Sequence, residues 1–181
     1  MKLHLAALVL ATSLVLTGCA TQPDYRTEKA DPPTVASVDL ERYAGLWYEI
    51  ARYPNSFQKD CEGVTAEYTS RPDGKITVLN TCRIGNERSS QGVARIVEGA
   101  NGAKLKVKFA PEWVPFASGD YWILDLANDY SHALVGDPSG KYLWILSRTP
   151  QMPDATYAAI TARAEQLGYQ AAPLKRTRQP E

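Results

Sequence analysis

The sixteen residues from Asp39 to Pro54, DLERYAGLWYEIARYP, carry two periodicities in immediate succession. Asp39 offers a carboxylate to the free N–H groups of a following turn, and Leu40 and Tyr43 share one side of it at i, i+3 spacing. Gly45 ends the turn, because it tolerates backbone angles that other residues resist. From Leu46 the period becomes two, which predicts a strand. On that alternation Trp47, Glu49, Ala51 and Tyr53 share one face, and Tyr48, Ile50 and Arg52 share the other. The small Ala51 on the Trp47 face implies a face that looks into limited space.

Beyond this strand, short alternating runs recur at Glu62–Ser70, Lys75–Arg83, Ser90–Glu98, Lys104–Ala110, Gly119–Leu126, Ser131–Asp137 and Lys141–Ser147. Turn residues separate them, including Arg-Pro-Asp-Gly at 71–74 and Asp-Pro-Ser-Gly at 137–140. Regular short strands with turn signals argue for an antiparallel sandwich or closed barrel. With the first strand the count is eight, roughly the number whose interior holds one small ligand. No helix-length pattern lies between the strands, which argues against a parallel α/β sheet. One helix follows: Pro153-Asp154 starts it, Tyr157, Ile160, Ala164 and Leu167 form its apolar stripe, and Gly168 ends it. It is expected to pack outside the barrel. Residues 173–181 read as a loose basic tail.

The chain begins with a leader, Met1 to Gly18. Lys2 supplies a positive charge and Leu5 to Leu16 an apolar run too short to span a bilayer. The run ends in Leu16-Thr17-Gly18-Cys19, which resembles a bacterial lipoprotein cleavage box. The expected product begins at a lipidated Cys19, and its acyl chains would hold it on a membrane. Ala20 stands where an Asp would resemble an inner-membrane retention signal, so the periplasmic face of the outer membrane is the expected address. An ordinary secretory leader with a chance cysteine is the alternative. Residues 19–37, polar and containing Pro23, Pro32 and Pro33, read as a flexible tether, and residues 38–172 as the barrel and its helix.

Lys plus Arg and Asp plus Glu both number 20, so no charge excess points to a nucleic-acid partner. Tyr (10) and Trp (4) outnumber Phe (3), and aromatics with a polar handle suit walls that meet both apolar and wet surroundings.

Alternation also sorts each strand into two faces. The small or aromatic set is Val64, Ala66 and Tyr68 in the second strand, Ile76, Val78 and Asn80 in the third, and Gly92, Ala94 and Ile96 in the fourth. In the fifth it is Leu105, Val107 and Phe109, with three lysines opposed to them. The sixth is ambiguous, since Tyr121-Ile123 and Trp122-Leu124 are both apolar. Periodicity alone leaves open whether these residues fill a solid core or line a void. Ala51, Ala66, Gly92 and Ala94 supply little volume, which favours a void. A buried Glu49 needs a partner or a hydrogen bond: an Arg or Tyr inside, or a polar head group.

Two later stretches complete a pattern. YWILDLANDYSHALV, from Tyr121 to Val135, places Asp129 and Tyr130 at a strand–turn–strand junction. YLWILSRTP, from Tyr142 to Pro150, ends a strand in Arg148. Gly45-x-Trp47, Asp129-Tyr130 and Arg148, in that order, resemble the three signature regions of the lipocalin family, and with the N-terminus they resemble its bacterial outer-membrane members. The resemblance covers about residues 38 to 170. It implies an all-β, eight-stranded antiparallel up-and-down barrel with a C-terminal helix packed outside. It also implies that Arg148 lies across the Trp47 indole at a closed end, that Asp129 and Tyr130 shape the turn there, and that Tyr121, Tyr142 and Trp144 point inward. The expected ligand-binding residues are Glu49, Ala51, Tyr53, Ala66, Tyr68, Val78, Asn80, Ala94, Val107, Phe109, Tyr121, Tyr142 and Trp144. Glu112 to Ser118, with Trp113, Pro115 and Phe116, could form an apolar lip at the open end; the alternative is that its aromatics fold back as local core.

Cys61 and Cys82 remain after lipidation takes Cys19. Export through an oxidising compartment favours a disulfide between them. A hairpin turning at 71–74 sets Cys82 opposite Gly63 and Cys61 opposite Ile84, two residues out of step, so a bond needs a bulge or a bent loop. Two buried thiols or a metal pair are the alternatives, the latter without a nearby His.

No nucleophile elbow, phosphate loop or metal-spaced His cluster occurs. His132 is the one histidine outside the leader, and it reads as structural. Neither an enzyme nor a cofactor nor a metal is therefore expected. The function implied is lipid storage or transport, with a fatty acid or lysophospholipid as ligand and the membrane engaged through Cys19. A second copy of the chain is kept open as a partner. The rival readings are an envelope interaction protein with a filled barrel and a weak lipid-modifying enzyme.

Overall fold

A computed structural model describes residues 22–84, 86–111, 113–115 and 117–180. The leader, the lipidation site Cys19, and Glu112 and Phe116 of the expected lip lie outside these residues. The elements run α1 (Leu40–Tyr43), β1 (Gly45–Arg52), β2 (Glu62–Ser70), β3 (Ile76–Ile84), β4 (Asn86–Ile96), β5 (Lys104–Lys108), β6 (Ser118–Leu126), β7 (His132–Gly136), β8 (Leu143–Ser147), α2 (Asp154–Gln166) and β9 (Lys175–Arg176). Consecutive strands from β1 to β8 pair antiparallel, and β8 returns to β1, closing an eight-stranded up-and-down barrel. The turn-to-strand transition read from Asp39–Pro54 is observed: the Asp39 carboxylate accepts from the N–H groups of Glu41 and Arg42 at 3.0 and 3.2 Å, and β1 starts at Gly45.

Closure separates the buried residues into an inner and an outer set. Trp47, Tyr68, Val78, Leu105, Ile123, Val135 and Leu146 belong to the inner one. The outer set joins Ile50, Ala51, Tyr53, Leu124, Leu134, Leu143 and Ile145 to Ile160 and Ala164 of α2 and to Leu167 at its C-cap, so the helix packs outside the barrel. Burying a side chain such as Ile160 or Leu167 contributes about 1.5–3 kcal/mol, so this stripe fixes the helix on the wall.

Three register shifts break the strict alternation, one of them in β6 between Ile123 and Asp125. Between Glu49 and Ala51 the register against β8 shifts: Glu49 faces Leu146, Ala51 faces Ile145, and Arg52 faces Trp144. The extra residue turns every later side chain to the opposite face. Ala51 and Tyr53 therefore join the outer set, against the expectation that they face inward, and Arg52 comes inside. A second shift lies between Glu62 and Thr65 in β2, where Gly63 adopts a left-handed φ of +61°. Beside it Cys61 and Cys82 form a disulfide across a Cα–Cα distance of 5.4 Å.

Neither flank of the barrel is free. Residues 22–37, expected as a flexible tether, lie along the wall: Tyr25 N–H donates to Gly140 (3.0 Å), Thr27 N–H to Gly168 (2.9 Å) and Val35 N–H to Ile123 (3.1 Å). The expected loose tail is also docked. Lys175 and Arg176 pair with Arg52 and Ala51, and Thr177 and Gln179 are buried. In both segments backbone hydrogen bonds to the barrel replace those to water.

Candidate functional site: the barrel cavity

The barrel is plugged at one end and hollow towards the other. At the plugged end the Arg148 guanidinium sits 3.9 Å from the centroid of the Trp47 ring. It donates to the carbonyls of Leu46 (2.8 Å), Arg42 (2.8 Å), Tyr43 (3.1 Å) and Ala44 (2.9 Å), groups left open where α1 ends. Burial pulls the Arg148 pKa below its ordinary value. The Trp47 indole N–H donates to Tyr43 O at 2.8 Å. Tyr130, in a left-handed turn at φ +64°, accepts at its hydroxyl from Asp39 N–H (2.9 Å), and the Arg42 guanidinium lies 4.0 Å from its ring centroid. Asp129 accepts from Ser131 N–H at 3.0 Å, and its bonds with Ser131 hold its carboxyl below the usual carboxylate range.

Above this plug three phenols meet. The Tyr121 hydroxyl lies 2.8 Å from that of Tyr43 and 2.8 Å from that of Tyr68. Burial raises all three pKa values, Tyr68 to about 12, so the cluster is neutral at ordinary pH. It forms the floor of a cavity of about 530 Å³. Ligand sites typically enclose about 300–1,000 Å³ with mainly apolar linings and a few placed polar groups. Of the expected ligand residues, Glu49, Ala66, Tyr68, Val78, Asn80, Val107, Phe109, Tyr121, Tyr142 and Trp144 line it. Ala51 and Tyr53 do not, because the β1 bulge turns them outward. Tyr53 instead donates its hydroxyl to Gln170 O at 2.6 Å. Ala94 does not either: it is packed without exposure among Ile76, Val107 and Leu105. Gly92 is a glycine for a steric reason, since a Cβ there would stand 2.8 Å from the Phe109 ring and 2.7 Å from Lys108 O.

The sequence reading missed a group of wall residues near the mouth, Phe57, Gln58, Thr65, Ala110, Gly119 and Asp120, which stand there with Ala117 of the expected lip. Phe57 and Gln58 come from the β1–β2 loop, where no periodicity exists to signal a direction. Asn55 holds that loop, its Oδ1 accepting from Gln58 N–H at 2.8 Å. Phe57, Tyr142 and Trp144 form a continuous aromatic wall, with successive ring centroids 5.6 and 5.7 Å apart. Trp113 of the expected lip is 82% exposed and is not part of the cavity lining.

Glu49 is buried in this wall and fully engaged. Arg52 and the Thr177 hydroxyl donate to Oε1, and Gln58 Nε2 donates to Oε2 at 2.7 Å. Arg52 in turn donates to Gln58 O (2.8 Å) and Cys61 O (3.1 Å), tying the loop to the strand. Trp144 Nε1 donates to Gln58 Oε1 at 3.1 Å. No Lys, Arg or His is among the described lining residues. His132 lies away from the cavity, 3.1 Å from the Ser131 hydroxyl. Among the described residues no cluster of three or more His, Cys, Asp or Glu is placed to hold a metal.

An up-and-down barrel of this strand order, sealed by an Arg on a Trp and hollow above, defines the lipocalins, and the chain belongs to that family: a lipocalin-like domain model matches residues 38–179. Temperature-induced lipocalin-1 of Arabidopsis thaliana is 44% identical over 165 residues, 84% of this chain and 86% of that protein. The outer membrane lipoprotein Blc of Vibrio cholerae is 39% identical over 149 residues, 80% of this chain and 81% of the relative. Among solved structures, insecticyanin from the tobacco hornworm Manduca sexta superposes with a TM-score of 0.67 at 22% identity, over 88% of each chain, a likeness of fold.

Proposed function

We propose that this protein is a lipid-anchored lipocalin that takes a single-chain lipid, a fatty acid or lysophospholipid, into its barrel for storage or transport at the bacterial outer membrane. The observation that carries the reading is the cavity itself: about 530 Å³, walled by Tyr68, Val78, Val107, Phe109, Tyr142 and Trp144, with few polar groups. Two acids, Glu49 and Asp120, line it, each already paired with a cation, Arg52 and Lys106, and no Lys, Arg or His is among the described lining residues, so an anionic group carried deep inside would be costly without a counter-charge. The acyl chain therefore goes in first and the head group stays at the wet mouth. Anchoring through Cys19, on the periplasmic face, is the proposal that the Leu-Thr-Gly-Cys box supports, and likeness to a relative called an outer membrane lipoprotein supports the same address. The reading is of a binding protein without cofactor or catalysis.

The test is a titration of residues 20–181, stripped of lipid, with lysophospholipid and with fatty acid, followed by tryptophan fluorescence. Saturable one-site quenching is expected, lost in Val107→Trp, which fills the cavity, and weakened in Tyr142→Ala. A folded protein that binds neither ligand would overturn the reading.

A further inference from the structure

The barrel wall is incomplete between β1 and β2. These strands pair only from Gly45↔Tyr68 to Tyr48↔Thr65. Above that height the two diverge, and Glu49 and Val64, on either side of the gap, both line the cavity. The segment that fills the gap comes from far along the chain. Thr177 N–H donates to Ile50 O at 2.9 Å, and Gly63 N–H donates to Arg178 O at 2.8 Å. The Gln179 amide donates to Glu49 O at 2.7 Å and to Val64 O at 2.8 Å, spanning the gap with one side chain. Alternation holds through the segment: Thr177 and Gln179 are buried, while Arg176, Arg178 and Pro180 are exposed. Thr177 reaches furthest, its hydroxyl donating to the Glu49 carboxylate and accepting from Arg52 at 3.0 Å.

We infer that residues 175–180 are a working part of the ligand site: they close a side window between β1 and β2, and Thr177 is a positioning residue that holds Glu49 in the cavity wall. Without them the carbonyls of Glu49, Ile50 and Val64 and the Gly63 N–H lose their partners and draw water into the upper cavity. Glu49 also keeps one donor fewer. Retention of a bound lipid then depends on a segment that lies outside the eight-stranded pattern. The inference rests on the lipid-binding reading above.

The test compares the protein from Ala20 onward with a version ending at Leu174 and with Thr177→Val and Thr177→Ser, using lysophosphatidylcholine as probe. Its release rate would be measured by stopped-flow tryptophan fluorescence. Thr177→Val is expected to speed release roughly tenfold, the scale of one hydrogen bond to a charged group, with Thr177→Ser restoring slow release and the shortened chain faster than either. The point variants keep the test valid if the shortened chain does not fold. Equal impairment in Thr177→Val and Thr177→Ser would overturn the positioning role. An intact protein that binds while every variant matches it would overturn the inference alone, whereas an intact protein that takes up no lipid overturns the lipid-binding reading and this inference with it.

Discussion

The two halves of the barrel follow different rules. In the plugged half, inward side chains are large: Trp47, Tyr68 and Leu146 alternate inward as period two requires, and a register shift between Ile123 and Asp125 of β6 leaves Ile123 and Val135 in the inner set. The polar groups gathered there meet protein partners: Arg148 donates to four carbonyls and the three phenols bond to one another. In the hollow half, β1 and β2 each carry a bulge, the wall is completed by a loop and a distant segment, and the polar groups gather around Glu49. The contrast teaches that the plug is a problem of packing, solved by local periodicity, whereas a cavity wall must be held open by contacts from outside the repeating pattern.

That contrast can be broken by substitution. Trp47→Ala removes the centre of the plug and is expected to cost about 4 kcal/mol, the range for a buried aromatic. Thermal denaturation would show this as a Tm lowered by about 10 °C in a domain of this size. Lipid affinity in the folded protein should change little, because Trp47 does not line the cavity. If affinity collapsed with stability, the two halves would be one unit. Arg52→Met works in the opposite half. It leaves the Glu49 carboxylate buried without its cation and should cost about 3 kcal/mol in urea denaturation, while also releasing the 53–61 loop and weakening lipid binding. A variant with unchanged binding would separate the Glu49 cluster from the ligand site.

The smallest expected effect sharpens the boundary between the halves. Tyr121→Phe leaves the Tyr43 and Tyr68 hydroxyls without their shared partner, a loss of about 1–2 kcal/mol at neutral pH. In the parent protein the three phenols have raised pKa values in the folded state. The folded chain thus holds protons that the unfolded chain releases near pH 10. Their contribution is complete below pH about 10 and falls away as pH climbs through 12, the value reached by Tyr68. A pH series of urea midpoints should decline over that window, and less steeply in Tyr121→Phe. An unchanged slope would remove the phenols from the account.

What the sequence made legible follows the same division. The eight strands, the outer helix and its stripe, and the plug residues could be read because alternation runs far enough within each strand to mark it, despite single-residue shifts in β1, β2 and β6, and a few large side chains stand out. Ten of the thirteen expected ligand residues fall on the cavity wall for the same reason. Ala51 and Tyr53 were misplaced because a bulge is a single uncounted residue, and nothing in EIARYP marks where the extra one sits. Phe57 and Gln58 were missed because loop direction is set by Asn55, Arg52 and Trp144 together. Residues 22–37 and 173–180 looked free because their polar composition matches that of solvated chain. Their partners are backbone groups, which carry no letter of their own.

The wedge formed by residues 175–180 also bears on when this protein becomes competent. During synthesis, upstream strands emerge first and can pair hairpin by hairpin. The seam between β1 and β2 must wait for a segment that follows all eight barrel strands and the helix in chain order. On the inference that residues 175–180 close this seam, a barrel whose eight strands have paired before that segment docks would be outlined but unlatched, with a lateral way out for a lipid. Holding a ligand would, on the same inference, begin only once that segment has docked.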